Sequence, residues 1–322
     1  MGTPVFLSVA ALFGGCVGSF LNVVIYRLQR DDPRQRSIGG RSHCPHCGSL
    51  IRWFDNVPVV SWVLLRGKGR CCKQPIALRY PLVELLTAGL FAGLAQWSPF
   101  ASMLLAGSGA SIDWAAAAGL LLQAVFLALL VALSFIDLDT QLLPDALTKP
   151  GMAVGLLGGL WPGLAGVVSD DSSAPLAMRT LLASVAGLCA GGGATWLIRA
   201  VGSKAFGREA MGFGDVKLMA MVGAFLGWQS ALLTMFLGCV FGAVVGGLGA
   251  AMGRGSVIPF GPYLALGAIA ALFLRDPILT AVFTTWPEWQ RQNPSSQWLL
   301  VAFAMGSLLL LFFVVRRGRR SS

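Results

Sequence analysis

Residues 114–139 read WAAAAGLLLQAVFLALLVALSFIDLD. Positions 114–136 carry no charge, and aspartates follow at 137 and 139. About 20 apolar residues cross the hydrocarbon core of a bilayer as one helix. The end of this run is its odd feature. A carboxylate at a helix C-terminus opposes the helix dipole, and a charge at the edge of a span is costly and marks function by default. One stretch therefore predicts a membrane helix and a working acid, Asp137.

The rest of the chain agrees. Of 322 residues, 56% are hydrophobic and 12% charged, and the mean hydropathy is +0.72. Soluble domains carry about 25% charged residues, so an ordinary soluble enzyme, a disordered chain and a disulfide-rich secreted domain are excluded. Nine apolar stretches qualify as spans: 5–26, 80–97, 114–136, 145–163, 178–199, 212–227, 229–252, 257–274 and 297–315. The expected fold is all-α: a polytopic membrane helix bundle of eight or nine transmembrane helices with one cytoplasmic cysteine loop. It divides into a first helix (1–27), the loop (28–79), a membrane-embedded catalytic region (80–275) and a C-terminal segment (276–322) with the ninth span.

Charge sets the expected orientation. With the N-terminus outside, the alternating loops place 21 of the 24 Lys and Arg residues inside. That asymmetry follows the positive-inside rule. It assigns the net charge of +10 to topology and anionic lipid rather than to nucleic acid.

The inner loop holds Cys44 and Cys47 in His-Cys-Pro-His-Cys, then Cys71 and Cys72. A cytosolic loop is reducing, so disulfides are not expected. Paired cysteines at this separation approach zinc-ribbon spacing, and four thiolates suit a structural zinc. Adjacent Cys71 and Cys72 chelate less readily than a C-x-x-C pair, and unligated thiols are the alternative. Cys16, Cys189 and Cys239 sit in spans and read as packing residues.

A second acid faces the same side. Gly212-Phe-Gly-Asp215 opens the sixth span. Its glycines allow a bend and close helix approach, and Asp215 also fits a helix start. Asp145 after Pro144 reads as a helix-start carboxylate, and Asp139 as a solvated turn residue. Lys217 is either the partner of Asp215 or an interface anchor. Two carboxyl groups at one shielded site divide the roles of acid and base, as in an aspartyl protease.

These residues carry a family resemblance. The chain resembles the bacterial type IV prepilin peptidases, which are leader peptidases and N-methyltransferases of the intramembrane G-x-G-D aspartyl class. The likeness runs from about residue 14 to 275. It rests on Gly18-Ser-Phe-Leu-Asn-Val-Val-Ile-Tyr-Arg-Leu28, Ser42-His-Cys-Pro-His-Cys47, Trp53-Phe-Asp-Asn-Val-Pro58 and Ser61-Trp62. Leu65-Arg-Gly-Lys68, Arg79-Tyr-Pro-Leu-Val-Glu-Leu-Leu-Thr87, the two aspartate segments and Gly261-Pro-Tyr-Leu-Ala-Leu-Gly267 complete it. The resemblance implies that Asp137 and Asp215 are catalytic. It implies prepilins and pilin-like type II secretion proteins as substrates, cut after a short basic leader at the cytoplasmic face of the inner membrane. It further implies S-adenosylmethionine as donor for methylation of the new N-terminus. Membrane lipid is the other expected partner, and self-association is left open.

Two positions depart from the family pattern. Its third cysteine falls at Gly69 here, with Cys71 two residues on, and the ninth span is extra. The methyl donor is expected near the inner loop, with Glu84 a candidate polar group; pairing of Glu84 with Arg79 is the plainer role. A peptidase without methylase activity, and an ion-coupled transporter using the buried acids, are the competing readings.

Overall fold

The computed structural model describes residues 2–30, 37, 39–98, 114–160, 176–207, 209, 211–252, 259–293, 298, 305 and 306. The helices are α1 (Gly2–Leu28), α2 (Val60–Leu64), α3 (Arg79–Trp97), α4 (Trp114–Thr140) and α5 (Asp145–Gly158). They continue with α6 (Leu176–Phe206), α7 (Phe213–Ala251), α8 (Gly261–Thr280) and α9 (Trp286–Gln292). No strand occurs among the described residues. The expected ninth span, 297–315, lies outside them except at isolated positions.

Among the described residues, five stretches are long and apolar enough to cross a membrane: Pro4–Leu28, Ala116–Thr140, Met178–Ala205, Phe213–Gly249 and Gly261–Gln292. The fourth span expected from sequence is here the 14-residue helix α5. At 1.5 Å per residue that is about 21 Å, short of a bilayer core.

The sixth and seventh expected spans form one element, α7, broken at Gly227 (φ 77°, ψ 173°). Only glycine adopts that conformation freely. A Cβ on Gly191 of α6 would lie 2.3 Å from the Met219 carbonyl oxygen and 3.3 Å from the Ala231 Cβ. Twelve residues of straight helix separate their ends by about 18 Å, so the chain must reverse at Gly227. The two halves of α7 then run back beside each other against α6, as two separate stretches in the sequence would.

Small residues make this packing possible. A Cβ on Gly223 would fall 1.9 Å from the Gly187 carbonyl oxygen. Gly223→Ala must therefore push α6 from α7, and overpacking of this kind costs about 1–3 kcal/mol or more. Gly246→Ala, with nothing within 4 Å of the new methyl, is expected to be neutral. Thermal unfolding of the detergent-solubilised variants checks the contrast: a clear loss for Gly223→Ala and none for Gly246→Ala.

The main core joins α4, the first half of α7 and α8 through Leu130, Leu133, Leu218, Met219, Val222, Leu264 and Ala265. A second cluster joins α1 and α3 to α4 through Leu21, Ile25, Val83, Val131 and Ile136. Leu133, Met219 and Leu264 each lie one helical turn from a residue of interest: Asp137, Asp215 and Gly261. One shared core layer thus brings these three helix ends together on one side, called here the aspartate face. Residues up to Phe273 form one compact unit. In the second, which begins at Leu274, the rings of Trp286 and Trp289 stack at 5.2 Å.

Candidate functional site

Asp137 is 4% exposed and Asp215 8% exposed. Each sits at a helix end, Asp137 in the last turn of α4 and Asp215 in the first turn of α7. Their carboxyl groups are close enough to interact electrostatically. The two acids singled out from sequence are therefore brought to one buried place.

The unfavourable placement of Asp137 finds its compensation in a neighbouring helix. The Gly261 backbone N–H, at the start of α8, donates to Asp137 Oδ2 at 3.0 Å. Unpaired N–H groups and a positive dipole end favour an anion at a helix start. The helix that Asp137 terminates opposes its charge; the helix it faces accepts it. Glycine is required there, because a Cβ on residue 261 would sit 2.5 Å from Asp137 Oδ2. Sequence reading placed Gly261 in a matching segment without giving it a role. The local signal was Gly261-Pro262 opening an apolar run, since proline is favoured in a first helical turn.

The loop ahead of Asp215 is held from several sides. The Asp215 N–H donates to the Gly212 carbonyl at 3.2 Å. Gly214 lies against Leu143, where a Cβ would come within 2.9 Å of the leucine Cβ. Arg199 Nε of α6 donates to the Met211 carbonyl at 3.0 Å, and its NH2 pairs with Glu209 at 2.7 Å. Lys217 does not pair with Asp215. It bonds Asp145, which also holds Lys149 at 2.8 Å. Asp145 is the helix-start carboxylate expected, but with two ammonium partners.

Two other expectations need correction. Asp139 is not simply solvated: its Oδ2 accepts from Arg79 and, at 2.7 Å, from Gln29 Nε2. Arg79 also donates to the Phe135 carbonyl at 3.1 Å. The ends of α1, α3 and α4 are tied together by these bonds. Arg79 is thus spent on Asp139, and Glu84 does not pair with it. Glu84 instead accepts the Val59 N–H at 2.7 Å and a hydrogen bond from the Ser19 hydroxyl.

The four loop cysteines converge. The Sγ atoms of Cys44, Cys47, Cys71 and Cys72 lie within 4.8 Å of one another. Neighbouring pairs stand at 3.3 Å (Cys47–Cys71), 3.7 Å (Cys44–Cys72) and 3.9 Å (Cys71–Cys72). A tetrahedron of sulfurs at the usual zinc–sulfur length has edges of about 3.8 Å, so the set fits zinc. Two turns present the thiols. One closes with the Gly48 N–H on the Cys44 carbonyl at 2.9 Å, the other with the Gly69 N–H on the Gln74 carbonyl at 2.8 Å. A Cβ on Gly69 would point to within 3.7 Å of Cys72 Sγ and 4.0 Å of Cys71 Sγ. Cys71 therefore reaches the corner that a cysteine at 69 would approach, and adjacency to Cys72 does not prevent convergence. Hydrogen bonding with Ser49 pulls the Cys47 thiol down to about 6, while the contact with Cys47 pushes the Cys71 thiol up to about 12, so the titration belongs to the pair.

Comparison with known proteins adds an independent line. Residues 12–98 match the bacterial peptidase A24 N-terminal domain, and residues 124–247 match the type IV leader peptidase family. The chain is 39% identical over 296 residues to a prepilin leader peptidase/N-methyltransferase of Stutzerimonas stutzeri, covering 85% of this chain and 92% of that protein. It is 40% identical over 303 residues to the protein of the same description from Aeromonas hydrophila, covering 86% and 94%. The Pseudomonas aeruginosa relative is 36% identical over 299 residues, covering 85% and 92%. No solved structure matches.

Proposed function

Since the chain belongs to the type IV leader peptidase family, we propose that it removes the leader of prepilins and pilin-like secretion proteins and methylates the new N-terminus. The observation that carries the reading is the burial of Asp137 and Asp215 together at one end of the bundle. Asp137 and Asp215 are the catalytic pair. One, ionised, takes a proton from water as the water oxygen bonds to the scissile carbonyl carbon. The other, protonated, gives its proton to the carbonyl oxygen; as the C–N bond breaks, the first passes the proton taken from water to the leaving amine and the second recovers its own from the hydroxyl that becomes the new carbonyl. Their titration belongs to the pair rather than to either residue.

The aspartate face is cytoplasmic, the N-terminus periplasmic, and the membrane is the bacterial inner membrane. The 21-to-3 distribution of basic residues supports this orientation. It puts the acids on the side where a basic leader is held. S-adenosylmethionine enters as co-substrate and supplies the methyl group to the freed amine. Expression with a prepilin tests both activities. Leader removal together with an added mass of about 14 Da on the mature chain, one methylene, is expected. An intact prepilin would sink the reading, and a cleaved but unmodified chain would leave the peptidase alone.

Cys44, Cys47, Cys71 and Cys72 hold a structural zinc that folds the loop. Cys71→Ser is expected to abolish bound zinc in the purified protein, measured by elemental analysis. Zinc is also expected to leave the wild type as the pH falls, because protons compete with the metal for the thiolates. Equal zinc content in Cys71→Ser and wild type would remove Cys71 from the ligand set.

A further inference from the structure

The segment Trp53–Leu65 belongs to the cysteine loop (28–79), expected on the cytoplasmic side, yet its polarity is inverted. In α2, Ser61 is the buried residue, while Val60, Val63 and Leu64 face outward and Leu64 is 76% exposed. Trp53 is 82% exposed. A helix bathed in water puts its apolar side in and its polar side out. Here the sides are exchanged, as they are where the surroundings are lipid.

Its position gives the reason. Gly15 of α1 packs on Pro58, with the Cβ position of Gly15 3.4 Å from the Pro58 Cβ. Gly15 is thirteen residues from Leu28, about 20 Å back along a membrane-spanning helix. The antiparallel partner α3 also sets this turn inward of the membrane edge, by a smaller distance. Gly18 abuts Glu84, and Asn22 Nδ2 donates to the Tyr80 carbonyl at 3.0 Å. The bonds among Gln29, Arg79 and Asp139 form a polar rim at the aspartate face. Glu84 lies five residues past Arg79, about 7 Å beyond that rim. Val59 is bonded to Glu84 at that depth.

Backbone groups in the hydrocarbon region must be satisfied within the protein, and this turn meets that demand. Val59 has φ 61° and ψ −48°, and the Val60 N–H reaches back to the Pro58 carbonyl at 2.6 Å. This is a tight γ-turn of the rare kind, at a β-branched residue that strongly disfavours positive φ. Such strain persists only where the surroundings fix it. The buried Glu84 carboxylate, itself bonded by Ser19, takes the Val59 N–H. The Val57 N–H donates to Ser61 Oγ at 3.1 Å, and that hydroxyl donates to the Phe54 carbonyl at 2.8 Å. Asp55, the one acid of the segment, is bonded at both oxygens by Arg70. Arg52 and Arg66, both exposed, bound the segment on either side.

We infer that residues 53–65 form a re-entrant hairpin whose apolar side chains lie among the acyl chains of the leaflet at the aspartate face, with Glu84 as the buried receptor of its turn. The inference does not depend on the peptidase reading, because it concerns only how the chain meets lipid.

The test uses the full chain in nanodiscs of phosphatidylethanolamine and phosphatidylglycerol containing a phospholipid with a diazirine in its acyl chain. After irradiation, the labelled residues are mapped by peptide mass spectrometry. Label on 53–64 should match that on the outward-facing residues Leu82, Leu85 and Leu86 of α3. It should exceed that on 66–73 about ten-fold, as expected for a carbene formed in a water-free core. Label on α3 with a bare 53–64 would overturn the hairpin. Glu84→Gln keeps an acceptor for Val59 and should retain the label, whereas Glu84→Ala should lose most of it from 53–64. Undiminished label in Glu84→Ala would overturn the receptor role. Should that variant fail to fold, the wild-type map still decides the hairpin.

Discussion

Asp137→Asn and Asp215→Asn are each expected to leave a prepilin uncut while the protein folds as before. The chemistry needs one ionised and one protonated carboxyl group, and a carboxamide can be neither. General acid or base catalysis is worth about 10²–10⁴-fold for a single group. Groups that act as a unit fail together, so a loss of at least about 10³-fold is expected from either change. Folding is spared because the shape is kept. An asparagine at 137 still offers an oxygen to the Gly261 N–H, and one at 215 still suits a first helical turn. Initial rates of leader removal, paired with thermal unfolding of the same preparations, check this. Loss of rate with unchanged unfolding is the expected pattern.

Gly261→Ala is expected to be nearly as damaging, though alanine is a better helix former. The new methyl would lie 2.5 Å from Asp137 Oδ2, a separation that contact between carbon and oxygen does not permit. Either the start of α8 retreats or the Asp137 side chain turns away, and in both cases the 3.0 Å hydrogen bond is lost. A displacement of about 1 Å at a reacting group costs about 10²-fold. The stability cost should stay near that of ordinary overpacking, about 1–3 kcal/mol. Cleavage should therefore fall far more than the unfolding temperature does. Full activity in Gly261→Ala would show that the α8 terminus has no part in placing Asp137.

Both variants touch what sequence could and could not disclose. Asp137 was legible because it breaks two local rules at once, ending an apolar run and opposing its own helix dipole. Asp215 was legible from its two glycines and its place at the same face. The helical bundle was legible from length and apolarity alone. The partner that makes Asp137 tolerable is a backbone N–H 124 residues away, and no local pattern encodes that meeting. The reversal at Gly227 was visible only as a gap between two apolar stretches; the glycine conformation that achieves it comes from packing on α6.

The polar pairings were the least legible. Arg79 and Glu84 are five positions apart in one segment, which invited a local pair. Instead Arg79 reaches α4 and Glu84 reaches Val59, because each helix end is satisfied by whichever neighbour the bundle brings near. The cysteines show the same limit. Spacing made Cys71 and Cys72 look ill-suited to one ion, yet the turn around Gly69 brings both sulfurs to the cluster.

Whether Asp137 and Asp215 do the cutting is decided by the intact mass of prepilin incubated with wild type, Asp137→Asn and Asp215→Asn, each purified in lipid. Wild type should give a product lacking the leader and both variants an unchanged prepilin, with all three proteins equally folded. Leader removal by either carboxamide variant at the wild-type rate would contradict that role and move the catalytic groups elsewhere.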